Sequence, residues 1–281
     1  MVEIMSLQNK AMLITLSISG WTARKQDKKV SAEVETAHNA KDAGRYNKLL
    51  VDKSYLDPLT QHAGKMRDYH YRMTLPWMDN GARLLPSKLF MEYRAEMEKL
   101  KTEYERLIDI FIREYDAKLV QDARVRLGTM YDPADYPPGY ELRSKFSVET
   151  DIMPVPSGSD FRVDVGDAER ARIADELSER VAKRQAVATA TAWGRIRDTV
   201  GLVHARLSAD KAVVRDSLIE NTRELATLLP GLNIASDPVM EDVCQKIVNN
   251  LLVNPSRLRA SASLRRTVAA SAQEILQMVP A

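Results

Sequence analysis

The stretch SKLFMEYRAEMEKLKTEYERLIDIFIREYDAKLVQDARVRL, Ser87 to Leu127, decides how this chain is built. Its apolar residues recur at steps of three and four: Leu89, Tyr93, Met97, Leu100, Tyr104, Leu107, Phe111, Tyr115 and Leu119. Such a stripe predicts one continuous helix, about 60 Å long at roughly 1.5 Å per residue. That is longer than a compact single domain needs, so part of the helix requires a partner helix or stands in solvent. From Tyr93 to Phe111 the steps alternate four and three, the pattern of a coiled-coil seam. This makes Tyr93, Met97, Leu100, Tyr104, Leu107 and Phe111 candidate self-association residues. After Phe111 two four-residue steps follow, and Ile108 and Ile112 widen the stripe toward globular packing.

Working back toward the N-terminus, Thr74 to Pro86 (TLPWMDNGARLLP) holds two prolines and an Asn80-Gly81 turn signal, so no helix passes through it. Its apolar load predicts a buried connector with Trp77 in the core and Ser87 as the next N-cap. A recognition loop carried by Trp77, Met78 and Asn80 is the alternative. Leu59, Ala63, Met66 and His70 keep helical spacing, as do Val30, Val34 and Ala37, and Arg45 to Leu50 reads as a short helical stretch. Met12 to Ser19 alternates apolar and polar residues and predicts a strand closed by Gly20.

Working forward, Gly128 ends the long helix and Tyr131 to Tyr140 is a proline-set linker. Phe146 to Ile152 and Phe161 to Val165 alternate and predict two short strands. From Asp167, read as a cap, a second long helix carries Ile173, Leu177, Val181, Ala188, Ala192, Ile196, Val200, Val203 and Leu207 on one face. Gly194 and Gly201 within it mark close packing or a bend. A further helix ends at Pro230-Gly231, and Asp237-Pro238 and Asn254-Pro255 each start another. All ten tyrosines lie between Tyr46 and Tyr140. The expected division is therefore 1–130, a tyrosine-rich helical region; 131–166, a linker with short strands; and 167–281, an alanine-rich helical region. The fold class that follows is mainly α and elongated, with long helices in coiled-coil-like packing and a small β element.

A length of 281 residues with 44% apolar residues suffices for a real core, and a net charge of +2 draws the whole chain to no polyanion. Cys244 is the single cysteine, which excludes an intrachain disulfide framework and a cysteine-based zinc site and fits a cytoplasmic setting. The apolar run from Ala11 to Ile18 is too short to span a bilayer. His62 and His70 lie within about 80° on one helix, yet Asp68 points elsewhere, so no metal or cofactor is expected. GxSxG, HExxH, GxGxxG and Walker patterns do not occur, and no catalytic residue is nominated. Basic residues cluster instead at Arg24, Lys25, Lys28 and Lys29, on the second long helix, and at Arg257, Arg259, Arg265 and Arg266. Brought together they would form a phosphate-binding stripe; apart they are solvated faces.

LSISGWTARKQDKKV (residues 16–30), GRYNKLLV (44–51), TLPWMDNGARLLP (74–86) and MPVPSGSDFRV (153–163) resemble an uncharacterised family of bacteriophages, plasmids and other mobile elements. The resemblance implies a setting in the bacterial host cytoplasm, sometimes near MoxR-like AAA+ ATPases and von Willebrand A-type proteins, and supplies no active site. The expected function is a non-enzymatic interaction or adaptor protein that self-associates or meets a protein partner such as an AAA+ ATPase, away from membranes. Nucleic-acid binding through the Arg and Lys clusters is the alternative.

Overall fold

The computed structural model describes residues 7–79, 81–157, 166–209 and 213–280. Among them the chain is mainly α, with a four-stranded and a two-stranded sheet. It divides into two compact units that interleave along the sequence. The first comprises Met1–Thr15, His70–Tyr93 and Asp151–Ala281, the second Leu16–Tyr69 and Arg94–Thr150. Asn80 and the strand expected from Phe161 to Val165 lie outside the described residues.

A four-residue helix α1 (Leu7–Lys10) leads into β1 (Ala11–Ser19), the strand its alternation predicts. Next come β2 (Arg24–Gln26), α2 (Lys28–Ala37) and β3 (Asn47–Leu49). Within Arg45 to Leu50, then, Asn47–Leu49 is strand and no residue is helical. Lys48 stands opposite Lys25 in the antiparallel β2–β3 register, and both reach the carboxylate of Asp135, a distant partner that local spacing does not reveal. After α3 (Asp57–Met73) the proline-punctuated segment forms β4 (Leu75–Pro76) and β5 (Arg83–Pro86), where only a connector was expected. Each proline stands at a strand end, where a missing N–H does least harm. The sheet order is β4-β5-β1-β6, and β1 meets β5 from Ala11 opposite Pro86 to Ile14 opposite Arg83.

The long helix is present as a 3-10 turn (Ser87–Leu89), α4 (Phe90–Glu114), a π-turn (Tyr115–Leu119) and α5 (Val120–Leu127), ended by Gly128 at φ 52°. Ser87 does not cap it: the preceding position is Pro86, and no side chain accepts there. Tyr93, Met97, Tyr104 and Phe111 are buried within the chain itself, and Leu100 and Leu107 are half-buried. After α6 (Gly139–Arg143) comes β6 (Ser147–Pro154).

The first unit is completed by α7 (Asp167–Ser208), α8 (Asp216–Leu232), α9 (Pro238–Asn250), α10 (Pro255–Ala260) and α11 (Ala262–Met278), with α7 packed on α8 and α11, and α9 on both of those. Gly166 rather than Asp167 is the cap position of α7. A Cβ at Gly194 or Gly201 would meet nothing within 4 Å, so neither glycine marks close packing. Asp237 and Asn254 accept from Val239 N and Ser256 N as their proline pairs predict, and Ser261 starts α11 separately. Pro230 does not stop α8, which runs on to Leu232. Proline removes the N–H that would bond the Ala226 carbonyl, and the Cys244 thiol donates to that carbonyl instead, at 3.5 Å. Gly231 beside it leaves room for Leu89, whose Cδ2 would lie 2.5 Å from an added Cβ.

The C-terminus of α3 is held by cations. Arg195 donates to the carbonyls of Arg72 (2.7 Å), Tyr71 (2.8 Å) and Thr74 (2.6 Å), and Arg83 donates to the Thr74 hydroxyl at 2.7 Å with its guanidinium over the Tyr71 ring. Carbonyls at a helix C-terminus carry a partial negative charge, which accounts for two guanidiniums with no carboxylate partner among the described residues. Burial, then the charge of Arg83, lowers Arg195 to about 10. His70, also buried, shares a 2.8 Å hydrogen bond with the Tyr93 hydroxyl, and burial followed by Arg83 pushes it down to about 4.

Candidate binding cleft

The second unit holds a cleft made by the GWTAR portion of the first quoted motif. Beyond β1 the chain turns through Gly20, Trp21, Thr22 and Ala23 before β2 begins. Ala23 is buried at φ 50°, a left-handed conformation costing an L-residue roughly 1–2 kcal/mol. Its carbonyl accepts from Leu50 N at 2.7 Å, which ties the turn to the end of β3.

Lys48 anchors the two-stranded sheet. Its ammonium lies 2.7 Å from Asp135, 2.6 Å from the Met130 carbonyl and 3.7 Å from Asp27, and Lys25 reaches Asp135 at 2.5 Å. Burial alone would lower Lys48, but the hydrogen bond and charge of Asp135, helped by Asp27 and Asp132, raise it. Burial would raise Asp135, but the hydrogen bonds from Lys25 and Lys48, and then their charges, hold it below the usual carboxylate range. Asp27 also caps α2 by accepting from Lys29 N and Val30 N.

Between this sheet and α3 lies a space of about 450 Å³. Trp21, Leu56, Leu59, Ala63 and Phe146 make an apolar floor. Trp21 is fixed from behind by Tyr115, edge-on at 5.7 Å, and by Phe111 at 6.2 Å. Arg24 from β2, Lys53 and Arg67 from α3 stand on the rim with one carboxylate, Asp57, which lies 4.0 Å from Lys53. Arg67 and Arg24 are exposed, and neither forms an ion pair among the described residues. Arg67 touches the Ile18 carbonyl at 3.4 Å and the Tyr104 hydroxyl touches the Ser19 carbonyl at 3.5 Å, both near the limit for a hydrogen bond. A volume in this range, apolar below and cationic above, suits a ligand that joins an apolar body to an anionic group.

The residues singled out by sequence scatter. Arg24 belongs to the cleft; Lys25 is spent on Asp135; Lys28 and Lys29 are exposed in the first turn of α2. Arg259 pairs with Asp216 at 2.7 Å and Arg265 donates to the Leu258 carbonyl at 2.8 Å, while Arg257 and Arg266 are exposed. The N-terminal cluster belongs to the second unit and the C-terminal one to the first. Trp77 is buried with an indole N–H that has no acceptor among the described residues, Arg184 lies 5.9 Å from its ring, and Met78 is exposed. His62 bonds the Leu100 carbonyl at 2.7 Å and stacks on Tyr104, so it and His70 have separate partners. Sequence reasoning missed Lys53 and Arg67. Thr60, Ala63 and Arg67 share one face of α3 at steps of three and four, a signal that was available.

Fold and cleft together define a mainly α protein with a small antiparallel sheet and a cation-rimmed apolar groove, in which no described helix is long and apolar enough to cross a membrane. No family model, curated protein or solved structure matches the chain.

Proposed function

We propose that this chain is a non-enzymatic interaction protein, an adaptor of phage or mobile-element origin, whose cleft receives an acidic segment of a partner protein. The observation carrying this reading is the pair of exposed guanidiniums, Arg24 and Arg67, which have no carboxylate partner among the described residues and stand above an apolar floor. Planar guanidiniums favour carboxylates in bidentate geometry, and an apolar anchor beside them supplies the desolvated contact that dominates binding energy. Phage or mobile-element origin rests on the four quoted segments alone. Fluorescence anisotropy with a labelled Glu-Val-Glu-Val-Glu-Val peptide tests the reading against its Gln counterpart. The Glu peptide alone should bind, and Arg24→Gln with Arg67→Gln should weaken it by about tenfold or more. Equal binding of both peptides, or no effect of the double variant, would overturn the assignment.

Nucleic-acid binding has one observation in its favour: Lys28 and Lys29 are exposed and close in sequence to Arg24, extending a cationic stretch. A single-stranded oligonucleotide should then bind with log affinity falling by about 0.7 per phosphate contact in log salt. Self-association through the helical seam has less support, since four of its six residues are already buried within the chain and only Leu100 and Leu107 keep part of their surface.

A further inference from the structure

We infer that the partner's acidic segment enters the cleft as an extended strand, paired through its main chain with the edge of β1 between Leu16 and Ser19. The inference rests on the cleft being the docking site and adds how the occupant is held. The register of β5 against β1 stops at Ile14, while β1 runs on to Ser19. Leu16 to Ser19 therefore has β6 as its only strand neighbour among the described residues. On its other edge, main-chain groups need partners that a ladder would normally give. Successive carbonyls of a strand point to opposite edges, so one of Ile18 and Ser19 faces this edge. Arg67 lies 3.4 Å from the Ile18 carbonyl and Tyr104 3.5 Å from that of Ser19, both long, and Ile18, Ser19 and Gly20 line the cleft.

This edge also lacks the devices that normally block strand pairing. Leu16-Ser17-Ile18-Ser19 contains no proline, no lysine and no other charge, and its side chains are half-buried or exposed. An added strand would place alternate side chains on one side, about 7 Å apart, so acidic residues at every second position could meet Arg24 and Arg67 while apolar ones rest on the floor. Main-chain hydrogen bonds would supply affinity and the rim charges specificity, the division of labour in strand addition. An oligonucleotide has no main-chain amides to offer this edge.

The test uses the full chain and the same Glu-Val-Glu-Val-Glu-Val peptide. Backbone amide exchange of the chain, with and without saturating peptide, should slow at alternate amides between Leu16 and Ser19, those on the edge away from β6. Two further peptides carry N-methyl groups on either the Glu or the Val amides, which removes donors from one edge at a time. At least one should bind about tenfold more weakly, the loss expected for two hydrogen bonds. If the parent binds in an Arg24- and Arg67-dependent way but exchange at Leu16 to Ser19 is unchanged, or both methylated peptides bind like the parent, strand addition is wrong and the cleft reading stands. If the parent does not bind, or the double arginine variant binds it equally well, the cleft reading fails and carries this inference with it. Displacement of bound peptide by (dT)12 at lower concentration than by unlabelled peptide would make nucleic acid the occupant and overturn strand addition.

Discussion

Lowering the pH should destabilise this protein through His70, by an amount that the site allows to be worked out. The imidazole is buried, shares its hydrogen bond with the Tyr93 hydroxyl, and sits near the Arg83 charge; burial first and Arg83 second push it down to about 4 from a reference of 6.5. Between those values the unfolded chain binds a proton that the folded chain refuses, so stability rises with pH across the window. Above pH 6.5 the contribution is complete; it declines as the pH falls and is exhausted near pH 4. The full difference of about 2.5 units corresponds to about 3 kcal/mol, of which about 2 kcal/mol is lost between pH 8 and pH 5. His70→Gln keeps a polar partner for Tyr93 and removes the titration. Urea unfolding at pH 8, 6.5 and 5 should show wild type losing about 2 kcal/mol more than the variant, every other titrating group cancelling in the comparison. Parallel profiles would refute the reasoning, because they require His70 to titrate alike in the folded and unfolded states.

Gly231→Ala should lower the melting temperature although alanine is the better helix former by about 1 kcal/mol, because the new Cβ would lie 2.5 Å from Leu89 inside a packed core, an overlap costing about 1–3 kcal/mol. Cys244→Ala should cost more in the wild type than in a Pro230→Ala background, where the N–H restored by that substitution bonds the Ala226 carbonyl; chemical denaturation of the four proteins of the cycle should give a coupling of about 0.5–1 kcal/mol. Lys48→Met should destabilise by several kcal/mol in thermal unfolding, roughly the 3–5 found when one partner of a buried ion pair is removed, since Asp135 would keep only the half-exposed Lys25; adding Asp135→Leu should recover part of the loss.

Where the sequence was legible, one local rule was enough. Alternation located β1, four-and-three spacing located both long helices, and the Asp-Pro and Asn-Pro pairs located the starts of α9 and α10. Where it was not, the deciding partner stood far along the chain. Lys48 looks like a residue of a short polar helix until Asp135 is beside it, and Pro230 looks like a helix stop until Cys244 reaches the carbonyl that proline leaves open. The basic residues divide in the same way. Composition cannot tell Arg24, on the rim of a cleft, from Lys25 next to it, held by a carboxylate 110 positions away.

The long helix holds a case between these two. Phe111, Tyr115, Leu119, Ala123 and Leu127 are all buried, and they follow one another at steps of four. In a regular helix each such step overshoots a turn by roughly 40°, so four steps would place Leu127 about 160° from Phe111, almost on the opposite face. The π-turn at Tyr115–Leu119 narrows the discrepancy, since one extra residue in a turn sets the stripe back by roughly 100° and leaves about 60°. The change from alternating steps to consecutive fours after Phe111 was therefore a readable signal of a helix irregularity, not only of a wider apolar face. The π-turn also has a use in the second unit: the Tyr115 hydroxyl donates to the Pro137 carbonyl at 2.9 Å, and the Asp116 carboxylate accepts from Gly139 N at 3.2 Å. The irregular turn thus keeps the far half of the helix in the core and fixes the proline-set linker that brings Asp135 to Lys48. Lys48 holds β3, whose end ties down the strained Ala23 in the wall of the cleft. A step change in the helical pattern is in this way connected, contact by contact, to the geometry of the candidate site.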